Sequence, residues 1–270
     1  MSAKLSIIIL NYKTAGLVKY CLAGLFKEIG DFDFEVVVVD NASDDGCLQM
    51  VKANWPQVKT VSLENNKGYA AGNNAGIRVA TGEYVMILNP DVAVLEGGVK
   101  KLVQFMDENT AVGLAAPKLN NPDGSTQMST FTFPNFWLPI FRRTPLGFMK
   151  SAKKQVKKYL MVDWDHNSNR PVDWVLGACL IARRKSLEQV GLLDEDYFLY
   201  VEDTDWCRRF WQKGWQVYYV ADVAMVHFHQ RQSAEASFLG LFSQVTWIHI
   251  FSWLKYFKKW GLQVPHYQGE

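Results

Sequence analysis

A mostly parallel α/β sheet flanked by helices, in one domain with a C-terminal helical extension, is the fold this sequence predicts. Three observations predict it. Apolar, β-branched runs alternate with helix-period segments through the first 120 residues, which is the pattern of a parallel sheet with right-handed crossovers. Clusters of Asn, Asp, Ser and Gly follow the runs, where ligands of such sheets bind. Of the 270 residues, 49% are hydrophobic and 14% aromatic, enough to bury one large core.

The elements follow in order. Leu5–Leu10 and Phe34–Asp40 are continuous apolar runs suited to strands covered on both faces. Between them Leu17, Val18, Cys21, Leu22, Leu25, Phe26 and Ile29 recur at helical spacing, with Thr14 placed to cap. Val58–Leu63 and Tyr84–Asn89 read as two further strands, with helices over Ala70–Ala80 and Leu95–Asn109. From Asn120 to Arg170 no period is sustained, and the Lys-rich run 151–158 sits in what reads as a long loop, functional or mobile. Order returns at Val172–Ala182, followed by a helix at Thr204–Lys213 and a strand at Gln216–Val220. The expected division is a domain over 1–233, made of a first half 1–119, a variable region 120–171 and a second half 172–233, with an extension over 234–270.

Bulk properties exclude several classes. A net charge of +2 gives no global field for nucleic acid. Cys21, Cys47, Cys179 and Cys207 are scattered without metal spacing and read as small buried hydrophobes in a reducing compartment. The apolar run at 5–10 is too short for a secretory h-region, so the cytoplasm is the expected location. No GxGxxG follows the first strand and no GxxxxGK[ST] occurs, which disfavours a dinucleotide-dependent dehydrogenase and a phosphate-loop enzyme.

Polar groups at strand ends carry the functional signal. Asp40, opening Asp40–Gly46, can accept from a nucleobase N–H or a ribose hydroxyl; the same residues also make an ordinary capped turn. The stretch 65–76, with Asn66, Gly68 and Asn73, either brings backbone close to a phosphate at a helix start or packs a helix tightly on its sheet. Asn89-Pro90-Asp91 ends the fourth strand, where Asp91 can hold Mg²⁺ or Mn²⁺ against a diphosphate. Glu202 and Asp203 form the densest acidic feature, next to aromatic Tyr197–Tyr200. Acids opening a helix serve as caps, but acids among aromatics acquire raised pKa values, which suits a general base. His227 and His229 would share one face of a continuing strand.

Taken together, these residues resemble glycosyltransferase family 2, whose members have the GT-A fold. The likeness spans about Leu5 to Ser233. It rests on an ordered set: Ser6–Tyr12, Val39–Asp44, Asn66–Ala70 with Asn73-Asn74, Leu88–Asp91, Gly177-Ala178, Arg183-Arg184, Val190–Glu195, Tyr200–Asp205 and Arg208. Within the family the set is most similar to bacterial rhamnosyltransferases. The resemblance implies roles. Tyr12 and Asp40 contact the nucleobase, and Asn66, Gly68, Asn73 and Asn89 line the donor. Asp91 holds a divalent metal, with His227 a second ligand or a diphosphate contact, although Asn89 stands where the family's metal motif carries its first acid. Asp203 is the base of a single-displacement, inverting transfer supported by Glu202. Trp174, Gly177 and Ala178 border the acceptor, with the indole free to stack on a sugar. The implied donor is dTDP-rhamnose, with a UDP-hexose as the alternative, and the acceptor is a glycan or lipid-linked saccharide. A non-catalytic binding subunit would lack a use for the base. A nucleotidyltransferase would want a basic Gly-rich loop where Asn11-Tyr12-Lys13-Thr14 stands.

The C-terminal segment Ala236–Leu254 holds no Asp, Glu, Lys or Arg and is followed by Lys255, Lys258 and Lys259. Its polar residues suit a helix lying on an anionic membrane surface better than a spanning one. A core-packing helix or a homodimer contact is the competing expectation.

Overall fold

The computed structural model describes residues 3–228, 244–265 and 267. His229, the expected boundary at 233/234 and the first part of the C-terminal segment lie outside them. The elements run β1 (Leu5–Asn11), α1 (Ala15–Ile29), β2 (Phe34–Asp40), α2 (Cys47–Asn54), β3 (Lys59–Ser62), α3 (Gly68–Val79), β4 (Tyr84–Leu88), β5 (Val92–Val94), α4 (Gly98–Glu108) and β6 (Val112–Asn120). After these come β7 (Thr130–Phe131), α5 (Leu138–Arg143), a 3₁₀ turn at Pro145–Phe148, α6 (Lys150–Tyr159), β8 (Arg170–Pro171), β9 (Trp174–Val175), β10 (Cys179–Arg183), α7 (Arg184–Val190), α8 (Glu202–Gln212), β11 (Gln216–His227) and α9 (Gln244–Trp260).

The main sheet has the order β3-β2-β1-β4-β10-β6-β11-β5, with β8 on β11. Strands β3, β2, β1 and β4 are mutually parallel, as are β6 and β11. Strand β10 enters between β4 and β6 antiparallel to both, and β5 pairs antiparallel with β11. Those two reversals bring residues distant in sequence to the carboxyl edge of β4. The register Cys179↔Leu88 sets Ala178 beside Asn89, and His227↔Val92 sets His227 beside Asp91. The core lies on both sheet faces. Ile7, Ile9, Val36 and Val38 face α1 and α4, and Ile8, Val37 and Val39 face α3. All four cysteines are free and buried.

Three local expectations need correction. Thr14 precedes α1 but makes no capping bond; its hydroxyl donates to Asn11 Oδ1, and Asp45 Oδ2 accepts from the Ala15 N–H instead. A carboxylate opposes the positive end of the helix dipole better than a hydroxyl does. The region 120–170 is not one long loop. Its Lys run forms α6, whose inward side buries Ala152 and Tyr159, and long-range packing of those two residues decides what local periodicity left open. Third, β11 continues through residue 227, seven residues beyond the expected strand, because β6 and then β5 supply partners for its whole length.

The Gly-rich stretch serves helix packing. A Cβ on Gly76 would lie 2.5 Å from Ile8 Cγ2, so its absence lets α3 rest directly on β1 and β2. Gly68 sits at φ +86°, and a Cβ there would meet the Phe198 carbonyl oxygen at 2.2 Å. The close approach permits the Tyr69 N–H to donate to that same oxygen at 2.7 Å.

The C-terminal helix α9 packs on the domain, as the core-packing expectation has it. Tyr256 and Phe257 join Tyr197 and Val201 in a small cluster, Ser252 Oγ donates to the Leu199 carbonyl at 2.9 Å, and Lys259 Nζ reaches buried Asp205 at 2.8 Å. No helix among the described residues is long and apolar enough to cross a membrane.

Replacing Gly68 by Ala is expected to cost about 2–4 kcal/mol, combining left-handed strain with the clash at Phe198. The same change at Gly124, also left-handed but with open space around it, should cost only about 1 kcal/mol. Denaturant midpoints of the two variants provide the check.

Candidate active site

The carboxyl edge of β1 and β2 is organised by Asn11, which is fully buried. Its amide donates to Asp40 Oδ1 at 2.7 Å, and Asp40 Oδ2 accepts from the Ser43 N–H at 3.2 Å. The capped-turn reading of this stretch therefore describes its geometry, with half-buried Asp40 at the edge and Tyr12 exposed beside it. Next along the edge, Asn41 donates to Asn66 Oδ1 at 2.8 Å and accepts from the Lys67 N–H at 3.0 Å. Asn66 Oδ1 also accepts from the Gly68 N–H at 2.9 Å, so Asn66 shapes the turn into α3. Asn73 is buried within α3, its amide donating to the Tyr69 carbonyl while its Oδ1 has no hydrogen-bond partner among the described residues.

At the end of β4 three chain segments meet. The Tyr69 hydroxyl lies 2.6 Å from the Gly177 carbonyl oxygen and 2.9 Å from Asn89 Oδ1, sharing its one proton between two acceptors. The Gly177 N–H donates to Asp203 Oδ2 at 3.0 Å. Asp203 Oδ1 accepts from the Thr204 N–H at 2.7 Å. Asn89, Tyr69, Gly177 and Asp203 thus form one connected chain of hydrogen bonds from the end of β4 to the start of α8. Tyr69 was visible in the sequence only as part of a motif; its role depends on Gly177, more than a hundred positions away.

Both acids open α8 and both are buried. Burial pushes the Asp203 carboxyl up to about 6, against the lowering effect of the Gly177 and Thr204 donors. Glu202 is raised well above the usual carboxylate range, first by burial and then by the charge of Asp203; its Oε2 has no hydrogen-bond partner among the described residues. Burial therefore bears more heavily on Glu202 than on Asp203, whose Gly177 and Thr204 donors favour the charged form. Entry into α8 is strained, with Tyr200 at φ +68° and buried, β-branched Val201 at φ +74°. Such geometry persists only where surroundings over-determine it, and here α9 does so through the Tyr197–Val201–Tyr256–Phe257 cluster.

Asp91 and His227 are brought together, Oδ2 to Nε2 at 3.4 Å, and the Phe228 N–H donates to the Asp91 carbonyl at 2.8 Å. His227 Nδ1 lies 2.8 Å from Gln127 Oε1. Nε2 is the ring nitrogen directed at Asp91. Gln127, which sequence reasoning did not single out and which no local signal marks, is the residue that orients this imidazole. Two donor atoms facing each other across this gap fit a divalent cation, with an oriented imidazole of the kind metal sites use. Among the described residues no third His, Cys, Asp or Glu joins them.

One expected acceptor contact is corrected. Trp174 is only 6% exposed; its ring stacks on Phe131 with centroids 4.4 Å apart, and its Nε1 donates to the Thr132 carbonyl. The indole is a wall under the site, not a free stacking face. Gly177 and Ala178 do stand at the edge, between Asn89 and Asp203.

The family model for glycosyl transferase family 2 matches residues 6–168, more than half of the chain, and the chain belongs to that family. Its architecture is that of GT-A enzymes. It superposes with a TM-score of 0.62 and 19% identity on the mannosyltransferase PcManGT from Pyrobaculum calidifontis in complex with GDP-Man and Mn²⁺, covering 98% of this chain and 66% of that one. For GalNAc-T7 with UDP, GalNAc and Mn²⁺ the TM-score is 0.68 at 14% identity, covering 96% of this chain and 48% of that one. The chain thus spans about two thirds or less of both solved proteins. Among curated relatives, it is 28% identical over 236 residues to the N-acetylglucosaminyl-diphospho-decaprenol L-rhamnosyltransferase of Mycobacterium tuberculosis, covering 80% of this chain and 74% of that protein. It is 23% identical over 230 residues to the rhamnosyltransferase WbbL of Escherichia coli, covering 82% of each.

A raised carboxyl binds its proton more tightly folded than unfolded. The stability this contributes is complete below about 3.8, the ordinary Asp value, and is lost as pH rises through about 6. Between pH 4 and pH 7.5, unfolding free energies should therefore shift by about 2–3 kcal/mol in favour of Asp203→Asn relative to wild type. A pH-independent difference would mean that Asp203 is not perturbed.

Proposed function

We propose that the chain is a metal-assisted, inverting glycosyltransferase that moves a deoxyhexose, L-rhamnose from dTDP-rhamnose, onto a hydroxyl of a bacterial surface glycan or lipid-linked saccharide. The observation that carries this reading is the buried Asp203, raised toward neutrality and aimed by Gly177 at the same sheet edge that presents Asp91 and His227. Asp203 takes the proton of the acceptor hydroxyl, and the oxygen attacks the anomeric carbon from the side opposite the nucleotide. One base and one displacement invert the configuration. Glu202, its carboxyl raised by burial and by the neighbouring Asp203 charge, supports the base. A divalent cation held by Asp91 and His227 would neutralise the leaving diphosphate. Tyr12 and Asp40 lie at the edge where a nucleobase would rest, with Asn66, Gly68 and Asn89 shaping the path between; buried Asn73 supports that path from behind. The rhamnosyl donor is favoured over a UDP-hexose by the curated relatives named above, and an acceptor on a lipid diphosphate would place the reaction at the inner membrane surface.

Incubating the protein with Mn²⁺ or Mg²⁺, a panel of nucleotide sugars and lipid-linked acceptors should give nucleoside diphosphate release with dTDP-rhamnose. Asp203→Asn should lower turnover roughly 10²–10⁴-fold. Release with a UDP-hexose alone would replace the donor, and absence of binding and turnover across the panel would leave a non-catalytic binding subunit. Gln127→Leu should weaken the metal requirement's midpoint roughly 10–100-fold while leaving nucleotide binding without metal unchanged. Equal metal titrations for variant and wild type would remove Gln127 from the site.

A further inference from the structure

The chain as a whole is nearly neutral, but its basic charge is unevenly spent. Between Asp123 and Asp163 there are seven Lys or Arg and no Asp or Glu. The structure folds this stretch into α5, the 3₁₀ turn and α6, and orients α6 unambiguously. Lys150, Lys153, Lys154, Lys157 and Lys158 recur at i, i+3, i+4, i+7 and i+8, so they share one helix face, and all five are exposed. The opposite side is anchored: Ala152 and Tyr159 are buried, Tyr159 stacks on Phe131, and Asn135 donates to Gln155.

Beside this cationic face stand apolar side chains that the fold leaves in solvent. Phe148 is 77% exposed, Met149 54%, Trp137 53% and Leu146 48%. A groove of about 480 Å³ between α5 and α6 combines both characters, lined by Phe141, Phe148 and Val156 together with Arg142, Lys153 and Lys157. Cations beside exposed aliphatic and aromatic groups match a bilayer interface, where lysines meet lipid phosphates and apolar side chains enter the acyl boundary. A nucleic acid would use the charge but gives Leu146 and Met149 nothing to enter, since neither has a ring to stack on a base.

We propose that the α5–α6 hairpin is a docking surface for anionic phospholipid bilayers, with headgroup phosphates held by Arg142, Lys153 and Lys157 and the Leu146–Met149 turn inserted beside them. This assignment differs from a C-terminal anchor. Helix α9 also exposes Trp247, Phe251 and Leu254, but its lower half is committed to the domain through Ser252, Tyr256, Phe257 and Lys259. The hairpin leads into the catalytic region: Tyr159 lies on Trp174, three residues before Gly177. Docking there would hold the acceptor side of the molecule against the membrane. The inference stands apart from the catalytic reading, because binding is read without turnover.

The test is sedimentation of the full chain with vesicles of phosphatidylcholine, with and without a minority of phosphatidylglycerol. Binding is expected only with the anionic lipid and should weaken as salt is raised. Lys153→Glu with Lys157→Glu should lower partitioning by more than about tenfold, and Phe148→Ser by several-fold. Near-ultraviolet circular dichroism should match wild type, since these side chains are solvent-exposed. Trp247→Ser with Phe251→Ser should retain most of the binding. Equal binding of the lysine variant and wild type overturns the proposal, as does loss confined to the α9 variant. Binding to single-stranded RNA without binding to vesicles overturns it too.

Discussion

Two adjacent carboxyls buried at the start of one helix are the constraint around which the rest of this molecule is arranged. Removing Glu202 and Asp203 from water is costly, and the structure meets the cost unequally. Asp203 receives backbone N–H donors from Gly177 and Thr204, which favour its charged form; Glu202 Oε2 has no hydrogen-bond partner among the described residues, and its carboxyl is raised further. The difference between the two environments, not the residue types, sets how far each carboxyl is raised. Because Asp203 accepts from the Gly177 N–H, and Gly177 is tied through Tyr69 to Asn89, the position of its carboxyl is referenced to the end of β4. A shift of α3, β4 or β10 would therefore be felt at Asp203.

The support continues outward through α8. Asp205, two residues beyond the base, is fully buried yet meets Arg209, Lys259 and the Trp260 indole N–H. Arg208 sits over the Trp260 ring and donates to the Tyr256 hydroxyl at 3.1 Å. The C-terminal helix is thus part of the scaffold that keeps two successive left-handed residues, Tyr200 and Val201, in place before the acids. Strain of this kind costs on the order of 1–3 kcal/mol per residue and is tolerated where packing leaves no alternative. An apolar, lysine-flanked C-terminal segment reads as a membrane helix from composition alone; its buried tyrosine and its ion pairs to Asp194 and Asp205 give it a second purpose.

The parallel half of the sheet was legible because its strands are buried on both faces and their composition says so. Helices α1 and α3 were equally plain, the first from its apolar stripe and the second from glycines that had to lie against strands. The Lys-rich helix α6 was not legible. Its sequence has only two inward-facing residues in ten, and they become informative once Phe131 and Trp174 are present to receive them. Trp174 shows the reverse error: an aromatic near a catalytic motif suggests a sugar platform, but Phe131 and Tyr159 claim its ring for the core.

Residue chemistry at strand ends, read along the chain, determined the family, the sheet and the acids Asp91, Glu202 and Asp203, since local pattern and composition carry that information. How strongly each acid is perturbed, which nitrogen of His227 faces Asp91, and what Tyr69 and Gln127 hydrogen-bond were decided by tertiary structure alone. Those properties arise from desolvation and from hydrogen bonds between residues twenty to more than a hundred positions apart. They came into being only when β10 and β5 ran antiparallel to their neighbours and carried distant segments to one edge.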